Sequence, residues 1–280
     1  MSEDPSPGTL FVVSTPIGHL GDLSHRAIEV LGQASAILAE DTRHTRHLLD
    51  RYAIRTPMRA YHEHNEAQES ARTVSRLLHG ETVALVSDAG TPLLSDPGAR
   101  LVRAAIDAGV RVSPVPGASA LLAALVGAGL DADRFTFFGF LPRKGADRTA
   151  ALRDIAVLGH TAVLYEAPTR VAATLSDLEG AGAGARDAVV ARELTKQFEE
   201  FRRGTVSTLA AYYEASPPKG EIVLVIGGAP PGAAMPSDEE LRMRVRELRD
   251  GGSSAREITT ALIDAHGVPR NVAYRLAHET

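Results

Sequence analysis

Residues 87–98 read Ser87-Asp88-Ala89-Gly90-Thr91-Pro92-Leu93-Leu94-Ser95-Asp96-Pro97-Gly98, a run of glycine, proline and aspartate directly behind the apolar stretch 82–86. Glycine lets backbone approach a ligand and adopt φ > 0, proline fixes φ, and the amides and carboxylates offer both hydrogen-bond polarities. An ordinary strand-to-helix connection needs only one or two such residues, so this run reads as a ligand-holding loop. Two more follow other apolar runs: Ser14-Thr15-Pro16-Ile17-Gly18-His19-Leu20-Gly21-Asp22, and Pro114-Val115-Pro116-Gly117-Ala118-Ser119-Ala120. Ser119 sits at a helix start, where free backbone amides favour a carboxylate or a polar ligand edge. Neither the Gly-x-Gly-x-x-Gly fingerprint nor the Gly-x-x-x-x-Gly-Lys-Ser/Thr phosphate loop accompanies them, which disfavours NAD and ATP. A ligand with a carboxylate, an ammonium group and an adenosine but no phosphate fits better, and S-adenosylmethionine has those groups.

These loops must be positioned by something, and the chain supplies alternating strand-like and helix-like segments. Strand-like runs recur at 9–14, 36–39, 82–86, 111–115, 135–140, 161–165, 188–191 and 221–226. Between them lie segments such as 99–108 and 118–128, with apolar residues at helical spacing; several open on Ser, Thr or Asp suited to N-capping. This alternation predicts an α/β fold, with mostly parallel sheet in the first half. The turn-rich step Gly127-Ala128-Gly129 marks a seam between α/β domains at 9–128 and 129–228 with a cleft between them. Residues 229–236 read as a linker and 237–280 as a small helical tail. Seven arginines face eight carboxylates in the tail, and Arg242, Arg246 and Arg249 share one helical face. Ser253-Ser254-Ala255-Arg256-Glu257 opens a capped helix that Gly267-Val268-Pro269-Arg270 breaks, a helix-turn-helix-like pattern. A packing appendage and an RNA-touching module both fit it.

The 280 residues are 44% hydrophobic, carry a formal net charge of -5 and include no cysteine. They can fill one large or two medium cores, and they exclude disulfides, thiolate nucleophiles and cysteine-based zinc sites. Bulk charge excludes a protein that coats nucleic acid, so any RNA contact must be local. Residues 1–8 lack the basic start and apolar core of a secretory signal, and no apolar run is long enough to span a bilayer. The expectation is a cytoplasmic protein with no membrane and no DNA partner.

Seven ordered motifs then resemble one family. Thr15-Pro16-Ile17-Gly18, Ala39-Glu40-Asp41-Thr42-Arg43, Ser87-Asp88-Ala89-Gly90-Thr91-Pro92, Pro116-Gly117-Ala118-Ser119-Ala120, Phe138-Gly139-Phe140-Leu141-Pro142, Tyr165-Glu166-Ala167-Pro168 and Lys219-Gly220-Glu221 are similar to the serial motifs of the tetrapyrrole methylase superfamily. More narrowly, they resemble its bacterial branch that methylates the ribose 2'-hydroxyl of a cytidine in 16S ribosomal RNA of the small subunit. The resemblance runs from about Leu10 to Gly228, and one departure is His19, where the family usually has Asn. It implies a two-domain methyltransferase, usually a homodimer, with S-adenosylmethionine in the interdomain cleft. It assigns Ser87 to Pro92, Asp96, Ser119 and Ala120 to the cofactor, chiefly its methionine end. Leu141, Tyr165, Glu166, Ala167 and Glu221 fall to the adenosine, and Pro16 and Gly18 to the floor near the transferred methyl.

Methyl transfer from a sulfonium needs alignment in a dry site and no metal. A ribose hydroxyl is a poor nucleophile, so a general base helps. Asp41 or Glu40 is expected near the ribose and Arg43 near phosphate; the alternative is that the two acids only cap the helix starting near Thr42. Seven of the ten histidines precede Gly80, and His44, His47, His62 and His64 have metal-like spacings, but the chemistry asks for no metal. In Tyr61-His62-Glu63-His64-Asn65 the rings are expected to face RNA, while Asn65 equally reads as a helix cap. Arg46 and the loop residues Arg143, Lys144 and Arg148 are expected to contact RNA, with Arg170 and Lys196 widening the basic rim. Two competing readings are a methylase of a tetrapyrrole or protein substrate, and a non-catalytic RNA-binding assembly factor.

Overall fold

Strands that read as unbroken apolar runs must be covered on both faces, and the first sheet meets that demand. The protein is described by a computed structural model covering residues 6–230, 238–266 and 270–279. Its elements are β1 (Thr9–Val13), α1 (His25–Gln33), β2 (Ala36–Ala39), α2 (Thr42–Arg51), β3 (Met58–Ala60), α3 (Glu66–Leu78), β4 (Val83–Val86), α4 (Ala99–Asp107), β5 (Arg111–Val115) and α5 (Ala120–Ala128), followed by β6 (Phe135–Phe140), α6 (Ala146–Val157), β7 (Thr161–Glu166), α7 (Val171–Leu178), β8 (Asp187–Arg192), β9 (Glu200–Thr205), α8 (Val206–Ala215), β10 (Ile222–Ile226), α9 (Asp238–Asp250), α10 (Ala255–His266) and α11 (Arg270–His278).

The first sheet has the order β3-β2-β4-β1-β5, and all four of its pairings are parallel. Alternate residues of one strand enter different cores, as the two-residue period of a strand requires. Ile37, Ala39, Ala84 and Val86 pack with Leu31 of α1 and Leu48 and Leu49 of α2. Leu38, Val83 and Leu85 pack with Leu77 of α3 and Leu101 of α4. The second sheet has the order β6-β7-β10-β8-β9, with β6 and β7 parallel and a bulge between Phe137 and Gly139.

All eight expected strands are present; β3 and β9 were not anticipated. Both are sheet edges, where short or charged strands suffice because one side and one flank face water. Met58-Arg59-Ala60 has only three residues, and in Glu200-Phe201-Arg202-Arg203-Gly204-Thr205 the Glu200 carboxylate meets both Arg192 and Arg202.

The chain divides into two compact units. The first comprises Met1–Gly129, Val190–Arg202 and Gly220–Leu224; the second comprises Leu130–Val189, Arg203–Lys219 and Val225–Thr280. Within the latter, α9 to α11 share their own core of Leu241, Val245, Ile258, Leu262, Ala273 and Leu276. Ser254 and Glu257 cap α10 reciprocally, each accepting the other's backbone amide. Arg242 meets Glu279, and Arg249 donates to the Ala277 and Glu279 carbonyls, so two of the three aligned arginines serve packing at the end of α11. Residues 231–236 of the expected linker and the break at 267–269 lie outside the described residues. Among the described residues no helix is long and apolar enough to cross a membrane.

Candidate active site

Because β2, β4, β1 and β5 are parallel neighbours, the loops that follow them leave the same edge of the sheet. Short bonds stitch these loops together. The Thr15 and Gly90 backbones exchange hydrogen bonds of 2.8 and 3.0 Å, and the Thr15 hydroxyl donates to the Ser87 carbonyl at 3.2 Å. Ser14 and Thr91 hydroxyls lie 3.1 Å apart, and Thr91 donates to the Ala118 carbonyl at 3.2 Å. The Asp41 amide donates to the Asp88 carboxylate at 2.9 Å. One connected framework therefore holds Pro16, Gly18, Ser87, Asp88, Ala89, Gly90, Thr91 and Pro92 beside Ser119 and Ala120, where the Ser119 hydroxyl caps α5.

Loop 87–98 is conformationally demanding. Leu93 and Ser95 sit at φ of 75° and 71°, with Gly90 at 79° and Gly98 at 137°. Left-handed non-glycine residues cost about 1–3 kcal/mol each and persist where surroundings over-determine them. A second strained loop, 193–199, has Glu193 at 51° and Thr195 at 64°. It closes on Gly18, where a Cβ would lie 2.5 Å from Lys196 Cγ and 2.8 Å from Thr195 Oγ1. Only glycine permits that approach. Between the loops is a cavity of about 270 Å³, walled by Pro16, Gly18, Thr45, Ser87, Asp88 and Lys196 among others.

Electrostatics separate the acidic residues sharply. Burial, then repulsion from Asp96 and Asp88, pushes the Glu40 carboxyl above the usual carboxylate range. Asp96 is also raised, chiefly by burial and secondarily by Asp88, while the Ser87 hydroxyl pulls it down. Asp41 goes the other way: it accepts from the Arg43 side chain and amide, which holds it far below its ordinary value. Asp41 is thus the N-cap of α2 and is ion-paired to Arg43 at 2.9 Å. Lys196 is pulled down by burial, but bonds to Glu193 at 2.9 Å and Glu221 at 3.1 Å more than reverse this.

Sequence reasoning missed Thr45. Its side chain is 2% exposed and lines the cavity, yet Oγ1 has no hydrogen-bond partner. A mid-helix threonine ordinarily bonds the carbonyl four residues back or faces water, and this one does neither. The loop 193–199 was also missed beyond Lys196; its signal is the polar run Glu193-Leu194-Thr195-Lys196 behind an apolar strand. His19 explains its own departure, since Nδ1 accepts the Gly21 amide at 3.1 Å, as an asparagine oxygen would.

In the second unit the carboxyl ends of β6 and β7 are tied by a buried carboxylate. Glu166 is 2% exposed, accepts the Ala167 amide and the Thr174 hydroxyl, and faces Arg170 Nε at 3.3 Å. Arg170 also donates to the Leu141 and Pro142 carbonyls. Glu166 and Arg170 therefore position the buried Leu141 and its loop, which corrects the expectation of an outward Arg170. Arg148 is corrected likewise: it donates to Asp177, Thr174 and the Pro142 carbonyl. Arg143 and Lys144 remain exposed, next to Gly145 at φ 89°, and neither has an acidic partner among the described residues. The Tyr165 ring packs edge-on against Phe137 and Phe140.

Tyr61 corrects another expectation. It is fully buried, its hydroxyl 3.0 Å from Ser70, and it cannot stack on a base. Asn65 stands at the N-cap of α3 but uses its amide on the His62 amide and Ala60 carbonyl, so it shapes the turn rather than capping the helix. His64 is exposed, and His62 is half-buried with Nδ1 unpartnered. Arg46, on α2, has no carboxylate partner among the described residues.

A parallel sheet that gathers four polar loops at one edge, around a cavity without a phosphate fingerprint, marks an α/β protein with a small-molecule-binding site. The model of the tetrapyrrole (corrin/porphyrin) methylases matches residues 9–210, and the chain belongs to that family. It is 45% identical over 273 residues to ribosomal RNA small subunit methyltransferase I of Synechocystis sp., covering 97% of this chain and 98% of that protein. It is also 45% identical to the Pseudomonas aeruginosa protein of the same name, covering 97% of each. Among solved structures it resembles uroporphyrin-III C-methyltransferase from Thermus thermophilus complexed with S-adenosylhomocysteine, at TM-score 0.57 and 19% identity, over 79% of this chain and 97% of that one. Diphthine synthase matches at TM-score 0.60 and 18% identity, over 79% and 89%. These two likenesses establish the fold.

Proposed function

We propose that this protein transfers a methyl group from S-adenosylmethionine to the ribose 2'-hydroxyl of a cytidine in 16S ribosomal RNA of the small subunit. The observation that carries the reading is near-full-length 45% identity to two enzymes named for small-subunit ribosomal RNA. The cavity fits such a cofactor in kind: it joins loop backbone, the Asp88 carboxylate and an unpartnered buried hydroxyl at Thr45. Ser87 to Pro92, Asp96, Ser119 and Ala120 would hold its methionine end, Pro16 and Gly18 the floor, and Leu141, Tyr165, Ala167 and Glu221 the adenosine. When bound, the sulfonium supplies an electrophilic methyl.

This chain's own residues do the rest. Glu40 takes the hydroxyl proton, because its raised affinity makes it a better base than an ordinary carboxylate. Asp41 is committed to Arg43 and the α2 amides and serves as a positioning residue. Arg43 is 90% exposed and free to lean toward phosphate through the rest of its guanidinium. Arg46, His62, His64, Arg143 and Lys144 contact RNA. Incubating the protein with labelled S-adenosylmethionine and small ribosomal subunits, then mapping the labelled nucleotide, tests the reading. Label at a cytidine ribose is expected; label only on small molecules overturns it.

The working species is a homodimer. Helix α5, Ala-Leu-Leu-Ala-Ala-Leu-Val-Gly-Ala, is apolar on every side, yet Leu122 and Val126, one turn apart, are 51% and 76% exposed. A helix apolar all round is normally buried, and a second copy is the occupant we assign to this face.

A further inference from the structure

Beside the site cavity lies a second, more open groove of about 540 Å³, and the two share Gly18, Leu20 and Lys196 in their walls. Helix α2 runs past both: Thr45 and Leu48 line the cavity, while Arg51 and Tyr52 at its end line the groove. The groove walls are held from both sides, since the Tyr52 hydroxyl donates to the Leu20 carbonyl at 2.6 Å and the His19 amide donates to Thr195 Oγ1 at 3.0 Å.

Its polar lining is rich in donors. Arg51 is exposed and has no carboxylate partner among the described residues, unlike nearby Arg55, which pairs with Asp50 at 2.8 Å. His19 uses Nδ1 to accept the Gly21 amide, which leaves Nε2–H as a donor. Lys196 is already offset by Glu193 and Glu221, so Arg51 is the uncompensated charge. An uncompensated guanidinium with an imidazole N–H donor, in a groove that shares walls with the site cavity, suits a phosphate anion.

We infer that this groove binds a backbone phosphodiester of the RNA strand next to the reacting nucleotide, with Arg51 as the charged contact and His19 as a second donor. This rests on the reading of the protein as an RNA methyltransferase. In a chain of net charge -5, local contacts of this kind must supply the electrostatic attraction.

The test compares the full-length protein with Arg51→Ala, Arg51→Lys and, as a control on α4, Arg103→Ala, whose arginine pairs with Asp107. Two readouts are taken: methyl transfer to small ribosomal subunits, and the salt dependence of binding to a labelled single-stranded RNA. Arg51→Ala is expected to raise KM for subunits roughly tenfold and to reduce the log–log salt slope by about 0.7. Arg51→Lys is expected to restore the slope, and the Kd for S-adenosylmethionine to stay put. If the parent protein methylates subunits while Arg51→Ala keeps its KM and slope, the groove assignment falls and the function stands. If the parent binds RNA with an Arg51-dependent slope but methylates no subunit, the groove stands and the function falls. A parent that neither binds RNA nor methylates subunits overturns both.

Discussion

Glu40 and Asp41 are neighbours in the chain and opposites in chemistry. Asp41 is half-buried, bonded to Arg43 and held ionised, whereas Glu40 is drawn toward the neutral form by burial and by Asp96 and Asp88. Glu40→Gln is expected to lower kcat by about 10² to 10⁴, as for loss of a general base. The pH–rate profile of the parent should rise through an apparent pKa above the ordinary carboxylate range, and the variant should lose that limb. Stability carries the opposite signature. A carboxyl raised on folding binds its proton more tightly in the native state, so native stability falls as pH climbs from the unfolded value through the raised one. Glu40→Gln removes that penalty, and denaturant melts should show it no less stable than the parent at pH 7. Asp41→Asn keeps a capping oxygen, while Asp41→Ala loses it and should lower Tm in thermal melts.

At the scale of elements, the loops are held by contacts that chain order conceals. Gly18→Ala would drive a Cβ into Lys196, Thr195 and the Leu194 carbonyl. Overpacking of this kind costs about 1–3 kcal/mol. Because the neighbour is a strained loop, the expected readout is a weakened Kd for S-adenosylmethionine by calorimetry, accompanied by a lower Tm. Glu166→Ala leaves Arg170 and the Thr174 hydroxyl without their buried acceptor. Breaking a buried pair costs about 3–5 kcal/mol, so thermal melts should show a large fall in Tm, whereas Arg143→Ala, fully on the surface, should leave Tm unmoved.

For the whole molecule the exposed face of α5 is the feature that an isolated chain does not account for. Leu122→Glu with Val126→Glu should convert a dimer to a monomer in light scattering, while a monomeric parent would refute the assignment. Charge acts at this scale as well. With net charge -5, a bulk polyelectrolyte attraction is absent, so subunit binding should weaken with salt at a slope reflecting only a few phosphate contacts.

The central architecture was legible because buried parallel strands and amphipathic helices write their periods directly into the sequence. Most of the eight expected strands are apolar runs, and Ser119 and Asp41 cap the helices they precede. The clustering of glycine, proline and aspartate marked the loops for the same reason, as those residue types follow local backbone demands. The edge strands β3 and β9 were hidden because they bury too little to need a pattern. Orientation was hidden too. Arg148 and Arg170 look like Arg143 in sequence, but neighbouring carbonyls and carboxylates turn the first two inward. Tyr61 looks like a stacking ring, yet the core takes it. The sequence by itself determined which residues form the loops and what chemistry they offer. Only the tertiary structure decided that Thr45 lines the cavity unpartnered, that loop 193–199 closes on Gly18, and that burial and neighbouring acids raise Glu40 while Arg43 lowers Asp41. Burial and charge environment depend on contacts between distant parts of the chain, and no local pattern records them.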